Sequence, residues 1–173
     1  TLKMIQTGNE GYSEDIEIHR KLMGLPILEI DKKFITAPII MTYPASPHLA
    51  AKIDNCNIDL SKIEKSQEAL YKEYDIILME GAGGLMVPIT EDYLTIDYIK
   101  DRNIPMALVT NGQLGSINHT LLSLEAIKNR NIKLKYVIYN SFFDEDKTIA
   151  KETLKYLENK IKNDFEDSSF LVM

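Results

Sequence analysis

The segment Met79-Glu80-Gly81-Ala82-Gly83-Gly84-Leu85-Met86-Val87-Pro88, entered from the apolar run Tyr74-Asp75-Ile76-Ile77-Leu78, constrains this chain more than any other. An apolar run of that length ending in glycines reads as a buried parallel strand. One carboxylate, Glu80, then stands at the strand's carboxyl end, where ligands sit in open α/β sheets. The glycines beyond it let a backbone approach a ligand closely, because no Cβ intervenes. A lone acid followed by small residues is what a Mg-nucleotide site needs. A glycine-rich turn with a solvated Glu80 is the competing reading.

Other strand-like runs fall at Leu2–Ile5, Pro105–Thr110, Leu134–Tyr139 and Ser169–Met173. Helical patterns separate the later ones: Asp59 to about Glu73, Tyr93–Lys100, Ser116–Arg130 and Asp146–Lys162. Asp59 suits an N-cap, with Leu60, Ile63, Gln67 and Leu70 on one face. Leu154, Leu157 and Ile161 form the apolar stripe of the last helix. Strands alternating with helices imply crossovers and a mostly parallel sheet flanked by helices, an α/β fold. At 173 residues we expect one domain spanning residues 1–173.

A formal charge of −6 leaves no basic stripe for a nucleic acid. One cysteine, Cys56, excludes a disulfide framework and fits a cytoplasmic protein. No apolar run approaches a membrane span, so no membrane partner is expected. Thr1-Leu2-Lys3-Met4-Ile5 and Ser169-Phe170-Leu171-Val172-Met173 both read as interrupted strands, and we expect a piece of a longer polypeptide, cut at both ends.

Several further stretches carry side chains with chemistry to offer. Lys3 at a strand end is a point cation suited to phosphate oxygens, and Thr7 adds a hydroxyl; a frayed surface strand is the alternative. Ser13 is placed to cap a helix whose first turn holds Asp15. That acid either complements the helix dipole or joins Glu80 in the sparse carboxylate set that Mg²⁺ prefers. In Pro44-Ala45-Ser46-Pro47-His48 the histidine is either a base or structural. Gly115, Ser116, Ile117 and Asn118 open a helix after a strand, where free amides and the dipole suit a carboxylate or phosphate; a plain helix start is equally compatible. Asn140, with Ser141 beside it, ends another strand, and its amide either matches an adenine edge or makes a turn.

In this order, K-x-x-x-[ST]-G, an early Asp, P-x-S-P-H, E-G-A-G-G-x-x-x-P, G-x-x-N-H and a strand-ending Asn resemble the dethiobiotin synthetases, ligases of the P-loop NTPase class. The likeness runs from Lys3 to about Ser141. It implies biotin biosynthesis: ATP, CO₂ and diaminopelargonate react, with Mg²⁺, through a carbamate and a carbamic–phosphoric anhydride. By motif it assigns Lys3 to catalysis, and Thr7 and the Gly115–Asn118 helix start to the substrate. Asp15 and Glu80 would hold the metal, and with Gly81, Ala82, Gly83, Asn140 and Ser141 would bind the nucleotide. In that family the substrate helix comes from the partner subunit, which implies a homodimer with shared sites.

The departures are specific. No G-x-x-x-x-G-K-[ST] occurs in these residues, and Met4 stands where the family usually has Pro. The chain is expected to be either part of a longer synthetase or a loop-less relative without activity. A P-loop switch ATPase and a cobyrinate-type amidase are the rival classes. The switch ATPase predicts no helix start like Gly115–Asn118, and the amidase class normally carries a glutaminase domain with a catalytic Cys, for which Cys56 lacks a nucleophile's context.

Overall fold

In the computed structural model, which describes residues 1–173, the chain divides into two compact units, residues 1–95 and 96–173. The first opens with short strands β1 (Leu2–Lys3) and β2 (Gln6–Thr7). There follow helices α1 (Glu14–Leu22) and α2 (Glu29–Lys32), strand β3 (Ile40–Met41), and helices α3 (Pro47–Ile53) and α4 (Ser61–Tyr71). Strand β4 (Met79–Glu80) and the hairpin β5 (Pro88–Thr90) and β6 (Tyr93–Leu94) complete it. β1 pairs parallel with β4, Lys3 opposite Glu80, and β2 pairs parallel with β3; only β5 and β6 are antiparallel. Leu2, Ile5, Met41, Ile63 and Ile89 are the fully buried centre of this unit.

The glycine-rich segment departs from its expected setting. Tyr74–Leu78 is not a buried strand: the ladder begins at Met79, and Ile76 and Leu78 are 79% and 70% exposed. The run has a strand partner along one edge only, through the Leu2 amide on the Leu78 carbonyl. Its apolar composition suits a two-sided environment that these contacts do not supply. In α4 the cap is Leu60 rather than Asp59, whose carboxylate instead accepts the Ser61 amide at 3.0 Å; Ile63 and Leu70 are buried as the spacing predicts. Tyr93 and Leu94, read as helix, form β6 instead.

One buried network ties α1 to α2 and the residues flanking it. The Arg20 guanidinium donates twice to Asp31, at 2.9 and 2.8 Å, and both side chains are 4% exposed. The Thr36 hydroxyl at 2.7 Å and the Leu28 amide at 2.8 Å satisfy the remaining lone pairs. Burial without those partners would cost several kcal/mol per ion, so completeness is what makes the pair tolerable.

The second unit holds α5 (Thr95–Asp101, starting at the boundary), β7 (Met106–Asn111), α6 (Ser116–Asn129), β8 (Leu134–Asn140), α7 (Lys147–Asp164) and β9 (Ser169–Val172). Its sheet is parallel throughout, in the order β7-β8-β9, with Asn111 opposite Asn140 at the carboxyl edge. α6 packs on β7 and α7, and α7 on β9. Val137, Tyr139, Ile127, Leu157 and Ile161 fill the core, and Asp146 caps α7 through the Thr148 and Ile149 amides. No helix of the chain is long and apolar enough to cross a membrane.

Tyr139 sits at the centre of this edge. Its hydroxyl lies 3.0 Å from Asp144 Oδ1 and 3.2 Å from the Ala150 carbonyl and shares its one proton between them, pinning the loop after β8 to the start of α7. Burial, then the Asp144 bond, pushes the phenol up to about 12, so it remains a neutral donor at physiological pH. A Cβ at Gly112 would collide with both that hydroxyl and the Asp144 carboxylate. We expect Gly112→Ala to cost about 1–3 kcal/mol by forcing this pair apart. A denaturant melt checks it, and a Tyr139→Phe background should absorb part of the cost.

Candidate functional site

At the carboxyl end of β1, the Lys3 side chain is 7% exposed and makes three short polar contacts. Its Nζ lies 2.6 Å from Asp15 Oδ2 and 3.0 Å from Glu80 Oε1, and donates to the Gly81 carbonyl at 2.9 Å. Two hydrogen bonds and a third, ion-pair contact surround the ammonium, which offsets the cost of removing it from water. The β1–β4 register sets Lys3 beside Glu80. α1 brings in Asp15, because Ser13 caps that helix on the Ile16 amide and donates to Gln6 at 2.7 Å. The Asn9 side chain accepts the Glu14 amide at 2.9 Å and fixes the same turn.

Lys3, Asp15 and Glu80 therefore meet at one point. Thr7, Ala82 and Gly83 join Lys3 and Asp15 around a cavity of about 350 Å³. Gly81 contributes its carbonyl to the lysine. Ala45, Ser46 and Pro47 also line this cavity, which the sequence reading left unassigned. His48 does not line it; the ring is half-buried and its Nδ1 has no partner. Sequence reasoning also missed His19, whose Nε2 lies 3.0 Å from Glu80 Oε2. Its only signal was the four-residue spacing from Asp15, which places both on one helix face.

The two carboxylates already share one cation, the Lys3 ammonium, so their oxygens converge. No group of three metal-ligating side chains is assembled. Two hard oxygen donors beside a cavity suit Mg²⁺, which completes its octahedron with water and phosphate oxygens.

In the second unit, α6 starts at Gly115 with φ +94, and no side chain caps it. The Ser116 amide is taken by the Gln113 carbonyl at 3.0 Å and the His119 amide by Gly115 at 3.2 Å. The Ile117 and Asn118 amides are thus left at the positive end of the helix dipole. Ser116 is buried and its hydroxyl has no hydrogen-bond partner. Asn140 makes the turn that was one of its two readings: its Oδ1 accepts the Phe142 amide at 3.0 Å. The Nδ2 group and a second lone pair on Oδ1 stay available. Ser141 bonds the Met173 carbonyl through its amide at 2.9 Å and through its hydroxyl.

Comparison with known proteins decides the family. The AAA domain family matches residues 1–163, across both units. The ATP-dependent dethiobiotin synthetase BioD 2 of Haemophilus ducreyi is 47% identical over the whole of this chain, which spans 82% of that protein. The chain belongs to the dethiobiotin synthetase family. Its likeness to the synthetase BioD 2 of Pasteurella multocida is 44% over the whole chain and 81% of that protein. With the synthetase BioD of Chlorobaculum tepidum it is 46% over 94% of the chain and 68% of that protein. The P-loop NTPase-like α/β class read from the motifs is thus the fold of the family, and the amidase class gives way to it.

Proposed function

We propose that this chain carries the site for ATP-dependent closure of diaminopelargonate with CO₂ to dethiobiotin, in the cytoplasm. The observation that carries this reading is a buried lysine ammonium held between two carboxylates, in a chain 47% identical over its length to a protein named for that activity. The chemistry has three steps. One amine adds to the CO₂ carbon and loses a proton, giving a carbamate. A carbamate oxygen attacks the γ-phosphorus and ADP leaves with the bonding electrons. The second amine attacks the carbamate carbon, phosphate leaves, and the ureido ring closes with loss of a proton.

Lys3 supplies a fixed positive charge where negative charge develops on the carbamate and the transferring phosphoryl group, exchanging one of its present acceptors for a substrate oxygen. Such preorganised charge is the main catalytic device in phosphoryl transfer. Asp15 and Glu80 would hold Mg²⁺, which would neutralise phosphate charge. The Thr7 hydroxyl orients the diamine, and Gly81, Ala82 and Gly83 lie along the nucleotide. Asn140 reads the adenine edge beside Ser141. The helix start Gly115–Asn118 takes the substrate carboxylate on its free amides. In a homodimer it serves the site of the other subunit.

The test is phosphate release from MgATP and bicarbonate by the complete polypeptide, with and without diaminopelargonate. Release that requires the diamine supports the reading. Hydrolysis indifferent to the diamine identifies a switch ATPase, and no hydrolysis a relative without activity.

A further inference from the structure

Glu80 is held from two sides. Its Oε1 accepts from Lys3 and its Oε2 lies 3.0 Å from His19 Nε2, so the two oxygens face two different side chains. The other ring nitrogen, Nδ1, is buried without a partner. Glu80 is therefore the one polar contact of this imidazole, and no helix cap or backbone carbonyl explains its orientation. Asp15 and His19 lie one turn apart on α1. The helix that carries one acid thus also carries the ring that touches the other. Glu80 itself is 49% exposed and ends a two-residue strand, so the Lys3 and His19 contacts are what hold its rotamer.

We propose that His19 is a positioning residue for the cation site: through its Nε2–H it fixes the Glu80 carboxylate in the orientation that faces Asp15. This rests on the reading of Asp15 and Glu80 as the metal-holding acids. Partners that orient a ligating carboxylate commonly contribute about 10–100-fold in metal affinity. The role asks only for a donor at the Nε2 position, not for a change of charge. Gln reaches that position with its terminal amide, Asn is too short, and Phe keeps the ring volume without a donor.

Mn²⁺ titration of the complete polypeptide in the presence of ADP, read by the EPR signal of the free ion, tests the assignment without any turnover. His19→Phe and His19→Asn should each weaken Mn²⁺ by about tenfold, and His19→Gln should recover to within about threefold. The thermal midpoint of all three should stay near that of the wild type. Wild-type affinity in His19→Phe would overturn the proposal. So would a loss that Gln does not recover, or one that tracks a falling midpoint, because either assigns the ring to packing. Glu80→Gln separates the two layers: if it too binds Mn²⁺ normally, it is the metal reading of Glu80 that fails.

Discussion

Lys3→Ala lowers kcat for dethiobiotin formation by about 10²–10³-fold, the usual effect of removing one preorganised group that meets developing charge. The fold should survive the change. Asp15 and Glu80 are 31% and 49% exposed, so water can replace the ammonium on both carboxylates. The loss should not be recovered by Lys3→Arg. A planar fork cannot present its donors to Asp15, Glu80 and the Gly81 carbonyl as a tetrahedral ammonium does. Steady-state kinetics at saturating diamine, paired with a thermal melt, checks this. A Lys3→Ala protein that keeps activity within tenfold of wild type would remove the lysine from the reaction.

Asp31→Ala should unfold the protein far more readily while removing none of that lysine's side-chain partners. The substitution strands the Arg20 guanidinium, which is 4% exposed, and frees the Thr36 hydroxyl and Leu28 amide from their acceptor. Breaking one side of a buried, fully bonded ion pair costs about 3–5 kcal/mol. For a chain of this size that lowers the midpoint by roughly 6–20 °C. The pH dependence has a definite sign. Burial alone would raise the Asp31 carboxyl, but the Arg20, Thr36 and Leu28 hydrogen bonds and the Arg20 charge outweigh it and hold the group below its ordinary value. A carboxyl depressed in the folded state stabilises the fold above its unfolded value and loses that contribution as pH falls through the folded one. Acid melts of the wild type should therefore steepen below about pH 4, and Asp31→Ala should lose that part of the slope. Equal midpoints for the two proteins at neutral pH would contradict the account.

The motif residues around Lys3 were legible because each marks a strand end or a helix start. Glycines, a capping serine and an apolar run fix such positions locally, and parallel pairing then brings Lys3 to Glu80. The second-unit strands and helices were legible for the same reason, since Asp146 and Gly115 announce α7 and α6. What escaped was tertiary. Tyr74–Leu78 has a strand's composition, but whether such a run is buried depends on neighbours that its own pattern does not specify. α2, α3 and the strand β3 are four, seven and two residues long, too short for periodicity to register. The Arg20–Asp31 pair and the His19–Glu80 contact join residues with no shared motif, so charge identity alone could not couple them.

The most direct test of the proposed activity supplies the complete polypeptide with ATP, Mg²⁺, diaminopelargonate and ¹³C-bicarbonate, and follows the product by mass spectrometry. The account predicts dethiobiotin one mass unit heavier than the unlabelled compound, formed in step with ADP. ATP consumed with no labelled dethiobiotin would contradict it.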